Sequence, residues 1–154
     1  MDLSDLINPQ DISVSLRSSC RKELLHDLSD IAAKKTGLNG QEIFQTLLER
    51  EKLGSTGVGN GIAIPHGKLP GLSKITGLVA FLDKPIDFDA MDDQPVDVVF
   101  LLLAPETGGA DHLKALARVA RVLREPGMLQ KLRDANDPQS VFDLLTMPQT
   151  SHAA

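Results

Sequence analysis

In the first part of the chain, the hydrophobic positions are spaced first as in a β-strand and then as in α-helices. Apolar side chains at every second position of residues 12–16 predict a half-buried strand. Apolar positions at helical spacing follow, and they predict a helix that Ser18 or Ser19 caps and Gly37 ends. Asn39 begins a capping-box pattern for a second helix. The residues before the first strand are expected to form a loose arm.

The rest of the pattern predicts further strands and helices. Residues 75–82 predict a strand, and the nearly continuous apolar run over residues 96–104 predicts a central strand that is covered on both faces. Asp111 is a good N-cap for a third helix, and Asp137 with Pro138 is typical of the start of a last one. The inward face of the third helix is assigned to its apolar positions: Leu113, Leu116, Ala117, Ala120 and Leu123.

A glycine-rich stretch follows the second helix. Four of the twelve glycines lie between Gly54 and Gly61, and glycines let backbone N–H groups approach an anion because no side chain intervenes. The apolar run 62–64 predicts a short buried strand that Pro65 ends. His66 is therefore expected at the mouth of a loop.

The order of these elements predicts an α/β fold. Strands alternate or cluster between helix pairs, which favours a three-layer α/β/α sandwich with helices on both faces of a mixed β-sheet. Residues 1–147 are expected to form a single domain, and residues 148–154 a disordered tail. Phe88 and Met91 are expected to pack the acidic connection before the central strand against the core.

The composition narrows the classes of partner. The 154 residues carry a net charge of −5, with no Trp or Tyr and only five Phe, so a nucleic-acid partner is not expected. The single cysteine, Cys20, excludes an internal disulfide and fits a reducing compartment. The N-terminus lacks a signal-peptide pattern, and the longest apolar run is too short to cross a bilayer. We expect a soluble cytoplasmic protein that is not embedded in a membrane.

Two of the four histidines are candidates for chemistry. His66 and His112 each follow a predicted strand through a loop of small residues, and ligands of such sheets sit beyond the carboxyl ends of strands. Alternatively, His66 is a turn residue and His112 an unremarkable polar residue at the first position of its helix. His26, inside an amphipathic helix, and His152, in the tail, are expected to be surface residues.

A neutral histidine nitrogen can accept a phosphoryl group and pass it on. Phosphoryl transfer needs positioning and hydrogen-bond donors to the phosphoryl oxygens. Candidate donors are the hydroxyls of Ser55 and Thr56, the backbone of the glycine loop at Gly57 and beyond the histidine at Gly67, and the guanidinium of Arg50. Arg50 is equally consistent with a solvated helix end.

Other kinds of site are less consistent with the sequence. Two histidines without a Cys or carboxylate at ligand spacing fall short of a metal site, so no metal is expected. No Gly-x-Ser-x-Gly elbow occurs, which disfavours a serine-type triad. No nucleotide-binding P-loop occurs either, so a phosphate would have to arrive on a protein or a small molecule.

Residues 50–68 read Arg-Glu-Lys-Leu-Gly-Ser-Thr-Gly-Val-Gly-Asn-Gly-Ile-Ala-Ile-Pro-His-Gly-Lys. This segment resembles the active-site signature of the fructose/mannitol-type enzyme IIA domains of the bacterial phosphoenolpyruvate-dependent phosphotransferase system. Within that family it most resembles the nitrogen-regulatory branch. Residues 87–97 and 111–113 also fit that branch, and the resemblance extends roughly over residues 3–145.

The resemblance implies a function and a site. It implies the type-2 IIA fold and a phosphotransferase component that works without a cofactor. His66 matches the phosphoryl acceptor, modified at Nε2, and an HPr-like carrier protein, itself charged by an enzyme I homologue, is the implied donor. His112 matches an assisting histidine, and Arg50 matches an arginine that stabilises the phosphoryl group. Some relatives carry a further histidine at the position of Lys114, which bears on the choice of partner.

Three functional hypotheses remain open. The first is a phosphocarrier that regulates partner proteins through its phosphorylation state, with potassium transporters or sensor kinases as the targets that the resemblance implies. The second is a sugar-specific IIA component that passes phosphate to a IIB domain. The third is a regulatory binding module whose His66 is never phosphorylated.

Overall fold

A computed structural model describes residues 2–107 and 109–147 of the chain. The strands are β1 (Ile12–Leu16), β2 (Gly57–Gly59), β3 (Ile62–Ala63), β4 (His66–Leu69), β5 (Thr76–Ile86) and β6 (Val96–Pro105). The helices are α1 (Arg21–Thr36), α2 (Gly40–Lys52), α3 (Ala110–Leu123), α4 (Met128–Asp134) and α5 (Pro138–Thr146). The predicted disordered tail, residues 148–154, lies outside the described residues, and the single-domain assignment stays a prediction.

The six strands form one mixed sheet around β6. Its order is β1-β5-β6-β3-β2, and β4 also pairs with β6, beyond β3. β5 runs antiparallel to β6, whereas β3 and β4 run parallel to it. All but two of the ten residues of β6 are buried, so the continuous apolar run is a central strand, as its pattern predicts.

Helices cover both faces of the sheet. Side chains on one face of β6, including Val99 and Leu101, pack with buried residues of α1 and α2. Those on the other face, including Val98 and Phe100, pack with α3, α4 and α5. The predicted three-layer α/β/α sandwich with a mixed sheet is therefore confirmed. None of the helices in the described part of the chain is long and apolar enough to cross a membrane.

The N-terminal segment is not a loose arm. It forms two short 3-10 turns, Leu3–Asp5 and Pro9–Asp11, and it buries Leu6 and Ile7 in the core. The carbonyl of Leu6 also accepts a hydrogen bond from the backbone N–H of Gly77 in β5, at 3.0 Å. The prediction failed because 3-10 turns have neither helical nor strand periodicity.

The start and the inward face of α3 also differ from the prediction. Gly109 rather than Asp111 is the N-cap, so His112 is the third helical residue. The buried residues of the helix are His112, Ala115, Val119, Val122 and Leu123, whereas Leu113 is 68% exposed. The apolar pattern misleads here because a histidine faces inward and a leucine outward. Met91 is also exposed, while Phe88 is fully buried as expected.

Candidate active site

His66 begins a strand and does not lie in a loop. Pro65 ends β3 as predicted, but its carbonyl accepts a hydrogen bond from the backbone N–H of Leu102 at 2.9 Å. The chain therefore stays against β6, and β4 resumes parallel pairing with His66 opposite Leu102. This register holds the half-buried histidine beside the central strand β6, which is the one strand that β4 pairs with in the described part of the chain.

The two ring nitrogens of His66 have different partners. Nδ1 lies 2.9 Å from the carbonyl oxygen of Ile64, which can only accept, so Nδ1 carries the proton. Nε2 lies 3.2 Å from Nε of Arg50, which can only donate, so Nε2 has no proton and accepts with its lone pair. Both contacts select the same neutral tautomer, in which Nε2 is the nucleophilic nitrogen.

Arg50 is aimed at this nitrogen from the last turn of α2. Its Nη1 donates to the carbonyl of Gly54 at 2.9 Å, so the guanidinium is held at two points. The side chain of Arg50 is half-buried. The sequence was also consistent with an Arg50 that is a charge at a helix end, surrounded by water. The observed position of Arg50 differs from that alternative.

His112 lies beside His66 in the first turn of α3. The two ring centroids are 5.4 Å apart, and the rings meet edge to face at 66°. His112 is only 8% exposed, and its Nε2 is buried with no hydrogen-bond partner within residues 2–107 and 109–147. The site therefore contains a second imidazole with an unused nitrogen.

Burial keeps both histidines neutral. Burial is the main cause that lowers the pKa of His66 below its ordinary value of 6.5, with Arg50 acting in the same direction. The contact with the Ile64 carbonyl and the charge of Glu51 act in the opposite direction on that pKa. Burial also lowers the pKa of His112, helped by the nearby His66 and Lys68. Neutral imidazole is the form that can attack phosphorus.

Glu51 organises the segment that leads to His66, and the sequence reasoning missed it. Its carboxylate is 4% exposed and accepts hydrogen bonds from the backbone N–H of Thr56, at 3.1 Å, and from the Thr56 hydroxyl. The Thr56 carbonyl in turn accepts from the N–H of Ile64 at 3.0 Å, and the Ile64 carbonyl holds Nδ1 of His66. The available signal was an acidic residue in the last turn of a helix, where the macrodipole disfavours negative charge. Arg21, 3.7 Å away, balances that charge.

The predicted phosphate-binding hydroxyls make bonds within the chain. The hydroxyl of Ser55 donates to the carbonyl of Phe88 at 2.6 Å and accepts from the N–H of Gly57 at 3.0 Å. The Thr56 hydroxyl donates to Glu51. A phosphate-binding role for Ser55, Thr56 and Gly57 stays a prediction, and these bonds give each of them a structural role as well.

Two glycines of the signature are required by close packing. A Cβ atom on Gly57 would lie 2.8 Å from Cβ of Ala90, and a Cβ on Gly67 would lie 2.6 Å from Cγ2 of Thr46. Neither space is large enough for a methyl group. Gly67 thus lets α2 lie directly on β4, and its predicted role toward phosphate stays untested.

One group of three potential metal ligands occurs among the described residues. It comprises His26, Asp27 and Asp30 on α1, and it includes neither His66 nor His112. His26 is exposed, as predicted, and its ring meets that of Phe44 edge to face. Three ligands from one helix turn are an incomplete shell, and we assign the group no function.

Residues 5–147 match the model of the family described as "Phosphoenolpyruvate-dependent sugar phosphotransferase system, EIIA 2". The chain belongs to this family. It is 54% identical over 153 residues to a nitrogen regulatory protein of Bradyrhizobium diazoefficiens, an alignment that covers 99% of this chain and 100% of that protein. A fructose-specific EIIA component of Haloferax volcanii is 38% identical over 149 residues, with 94% and 97% covered.

A solved structure agrees with these matches. The fold superposes on the crystal structure of the nitrogen regulatory protein IIA-Ntr from Neisseria meningitidis with a TM-score of 0.89 and 30% sequence identity, over 94% of this chain and 99% of that chain. The predicted family, an enzyme IIA of the phosphotransferase system in its nitrogen-regulatory branch, is therefore confirmed. The predicted type-2 IIA fold is confirmed with it.

Proposed function

We propose that the protein is a phosphocarrier of a nitrogen-related phosphotransferase system and that it accepts a phosphoryl group on Nε2 of His66. The observation that carries the proposal is the state of this nitrogen: it is unprotonated, and a guanidinium donor lies 3.2 Å away. Family membership supports a phosphotransferase component. It also supports a phosphocarrier protein as the partner, and we take the donor to be HPr-like.

The transfer is a direct exchange between two imidazoles. The lone pair of His66 Nε2 attacks the phosphorus of the donor's phosphohistidine, and the donor's N–P bond breaks as the new one forms. The donor's phosphohistidine carries a proton on its other ring nitrogen, so its imidazole takes the electron pair of the broken bond and leaves as a neutral ring. The positive charge passes to the ring of His66, which is now bonded to phosphorus at Nε2. Nδ1–H of His66 keeps its proton and its contact with Ile64. Arg50 turns its donors from Nε2 to the phosphoryl oxygens, and His112 offers its unused nitrogen, as N–H, to the same group.

Exposed apolar side chains favour a protein as the donor. Large apolar residues that are exposed in the described part of the chain include Leu53, Val58, Met91 and Leu113. Leu53 and Leu113 closely follow Arg50 and His112, and the backbone of Met91 bonds to the glycine loop at Gly57. Apolar surface of this kind, rimmed by polar residues, is typical of a protein docking site.

The experiment is a reconstituted phosphorelay. The protein is incubated with enzyme I, the HPr-like carrier and radiolabelled phosphoenolpyruvate, and the label is located by mass spectrometry. We expect label on Nε2 of His66, none in His66→Ala, and wild-type labelling in His26→Ala, which removes an exposed histidine. Labelling that persists in His66→Ala would contradict the proposal.

The outcome of phosphorylation is also part of the proposal. Relatives named nitrogen regulatory proteins favour a regulator. We take its phosphorylation state to control partner binding in the cytoplasm, and its candidate targets are those that the family resemblance implies, potassium transporters or sensor kinases. The match to a fructose-specific EIIA component favours the second candidate, a sugar IIA that passes phosphate on. Adding a fructose-type IIB domain to the labelled protein separates the two, because only the sugar component would lose its label rapidly.

A further inference from the structure

An open groove of about 840 Å³ runs along the outer face of α3. Four cations line it, Lys114, Arg118, Arg121 and Arg124, and two small side chains, Ala117 and Ala120, lie between them. Glu125 is the one acidic residue in its lining. We infer that this α3 groove binds an acidic segment of a partner protein, as an interaction surface separate from the phosphoryl site.

The charge of the groove is not balanced locally. The whole chain carries −5, yet three cations of α3 and a fourth at its C-cap, Arg124, line one groove. Within residues 2–107 and 109–147 none of the four takes part in an ion pair, and Nε of Arg118 is buried without a hydrogen-bond partner. Four positive charges against a single acidic lining residue attract negative charge, so the groove fits an anionic partner from outside the chain.

The helix dipole explains only part of this arrangement. Cations near the C-terminus of a helix interact favourably with its dipole, which accounts for Arg121 and Arg124. Lys114 is the fifth residue of the helix and Arg118 lies at its middle, so neither is in the last turn where the dipole favours a cation. The helix dipole therefore does not explain why the row of cations extends to Lys114. A ligand that lies along the length of the helix would explain it.

The shape and surroundings of the groove favour a peptide segment. Ala117 and Ala120 give it a small-residue apolar floor, so it fits a chain in which acidic side chains alternate with small apolar ones. Nucleic acid would meet no Trp or Tyr for stacking. An anionic membrane surface would repel the rest of this acidic chain, whereas a single acidic segment reaches only the groove.

The test uses a fluorescein-labelled peptide of glutamate and alanine, with anionic phosphatidylglycerol vesicles and single-stranded DNA as separate arms. We expect the peptide to bind wild type and to shift backbone NMR signals of α3. In Arg118→Gln/Arg121→Gln the affinity should fall about tenfold, because two ion pairs are lost. Lys22→Gln/Lys34→Gln, which removes two exposed charges from α1, is the control and should bind like wild type.

Lys114→Gln/Arg124→Gln gives a second variant at exposed positions, in case removal of Arg118 disturbs folding. It should weaken the peptide by a similar factor. Two results would overturn the inference. The first is that the peptide does not bind to the wild-type protein, whether or not vesicles or DNA bind to the groove in its place. The second is that the α1 control loses as much peptide affinity as the α3 variants. The phosphorelay is not involved, so the outcome is independent of the proposed function.

Discussion

Glu51→Gln tests whether the carboxylate next to Arg50 controls the state of His66. Glutamine has the same size, but it replaces one acceptor oxygen by an NH₂ group, which cannot accept from Thr56. Glu51 accepts two hydrogen bonds from Thr56, and the amide can accept only one of them, so one Thr56 donor loses its acceptor in a site that is only 4% exposed, even where the hydroxyl turns to accept from the NH₂ group. The expected decrease in the free energy of unfolding is about 1–3 kcal/mol, the cost of a buried unsatisfied donor.

The same change should alter His66 itself. The charge of Glu51 acts to raise the pKa of His66, so its removal should lower that pKa further. Loss of the Thr56 bonds also loosens the segment that ends in the Ile64 carbonyl, so the Nδ1–H tautomer of His66 should become less populated. Phosphoryl transfer to Nε2 should slow accordingly.

Heteronuclear NMR of the histidine rings measures both the tautomer and the pKa, and chemical denaturation measures stability. Thr56→Val is the matched variant: it removes the hydroxyl but leaves the charge, so it should destabilise by about 1 kcal/mol and leave the direct charge effect on the pKa in place. Glu49→Gln, at an exposed position of the same helix, is the control for loss of an acidic charge. A folded Glu51→Gln protein with unchanged His66 pKa and tautomer would refute the reasoning.

Three further predictions concern the same site. Arg50→Ala should slow phosphoryl transfer to His66 by about a hundredfold, measured as the initial rate of labelling, because it removes a donor aimed at the reacting nitrogen; an unchanged rate would contradict this role. Burial lowers the pKa of His66 and of His112 below 6.5, so labelling should be constant around neutral pH and decrease only on the acid side, below 6.5. As the pH falls through 6.5, the unfolded chain binds more protons than the folded one, because both histidines have lowered pKa values in the fold. The free energy of unfolding should therefore decrease in this pH range, and an increase would contradict the prediction. Gly67→Ala should destabilise by about 1–3 kcal/mol in chemical denaturation, and Thr46→Ser, which removes the clashing methyl, should restore much of the loss; no rescue would exclude this contact as the cause.

The fold was predictable where burial determines the sequence pattern. The central strand is recognisable because both of its faces are covered, so nearly every position in residues 96–104 is apolar. The N-terminal segment was not, because its buried residues lie in 3-10 turns that have no strand or helix period. The inward face of α3 was misassigned because His112 takes a core-facing position while Leu113 points to solvent.

The proximity of the three candidate residues was predictable, but their hydrogen bonds were not. Arg50, His66 and His112 come together, as strand ends and a helix end indicated. The bond between Glu51 and Thr56 could not be foreseen, since it depends on the path of the glycine-rich chain between them. Chain spacing identifies which side chains reach a site, whereas the tautomer of a histidine depends on acceptors that only the folded backbone positions.

The contact between Gly67 and Thr46 has a consequence for the reaction distance. Thr46 lies about one helical turn before Arg50 on α2, and Gly67 directly follows His66 on β4. Because helix and strand meet there with no space for a methyl group, the contact limits how far the guanidinium can lie from the imidazole. A larger residue would widen the gap and admit water between the two groups. The glycine thus limits the distance between the guanidinium of Arg50 and the imidazole of His66 through its packing alone.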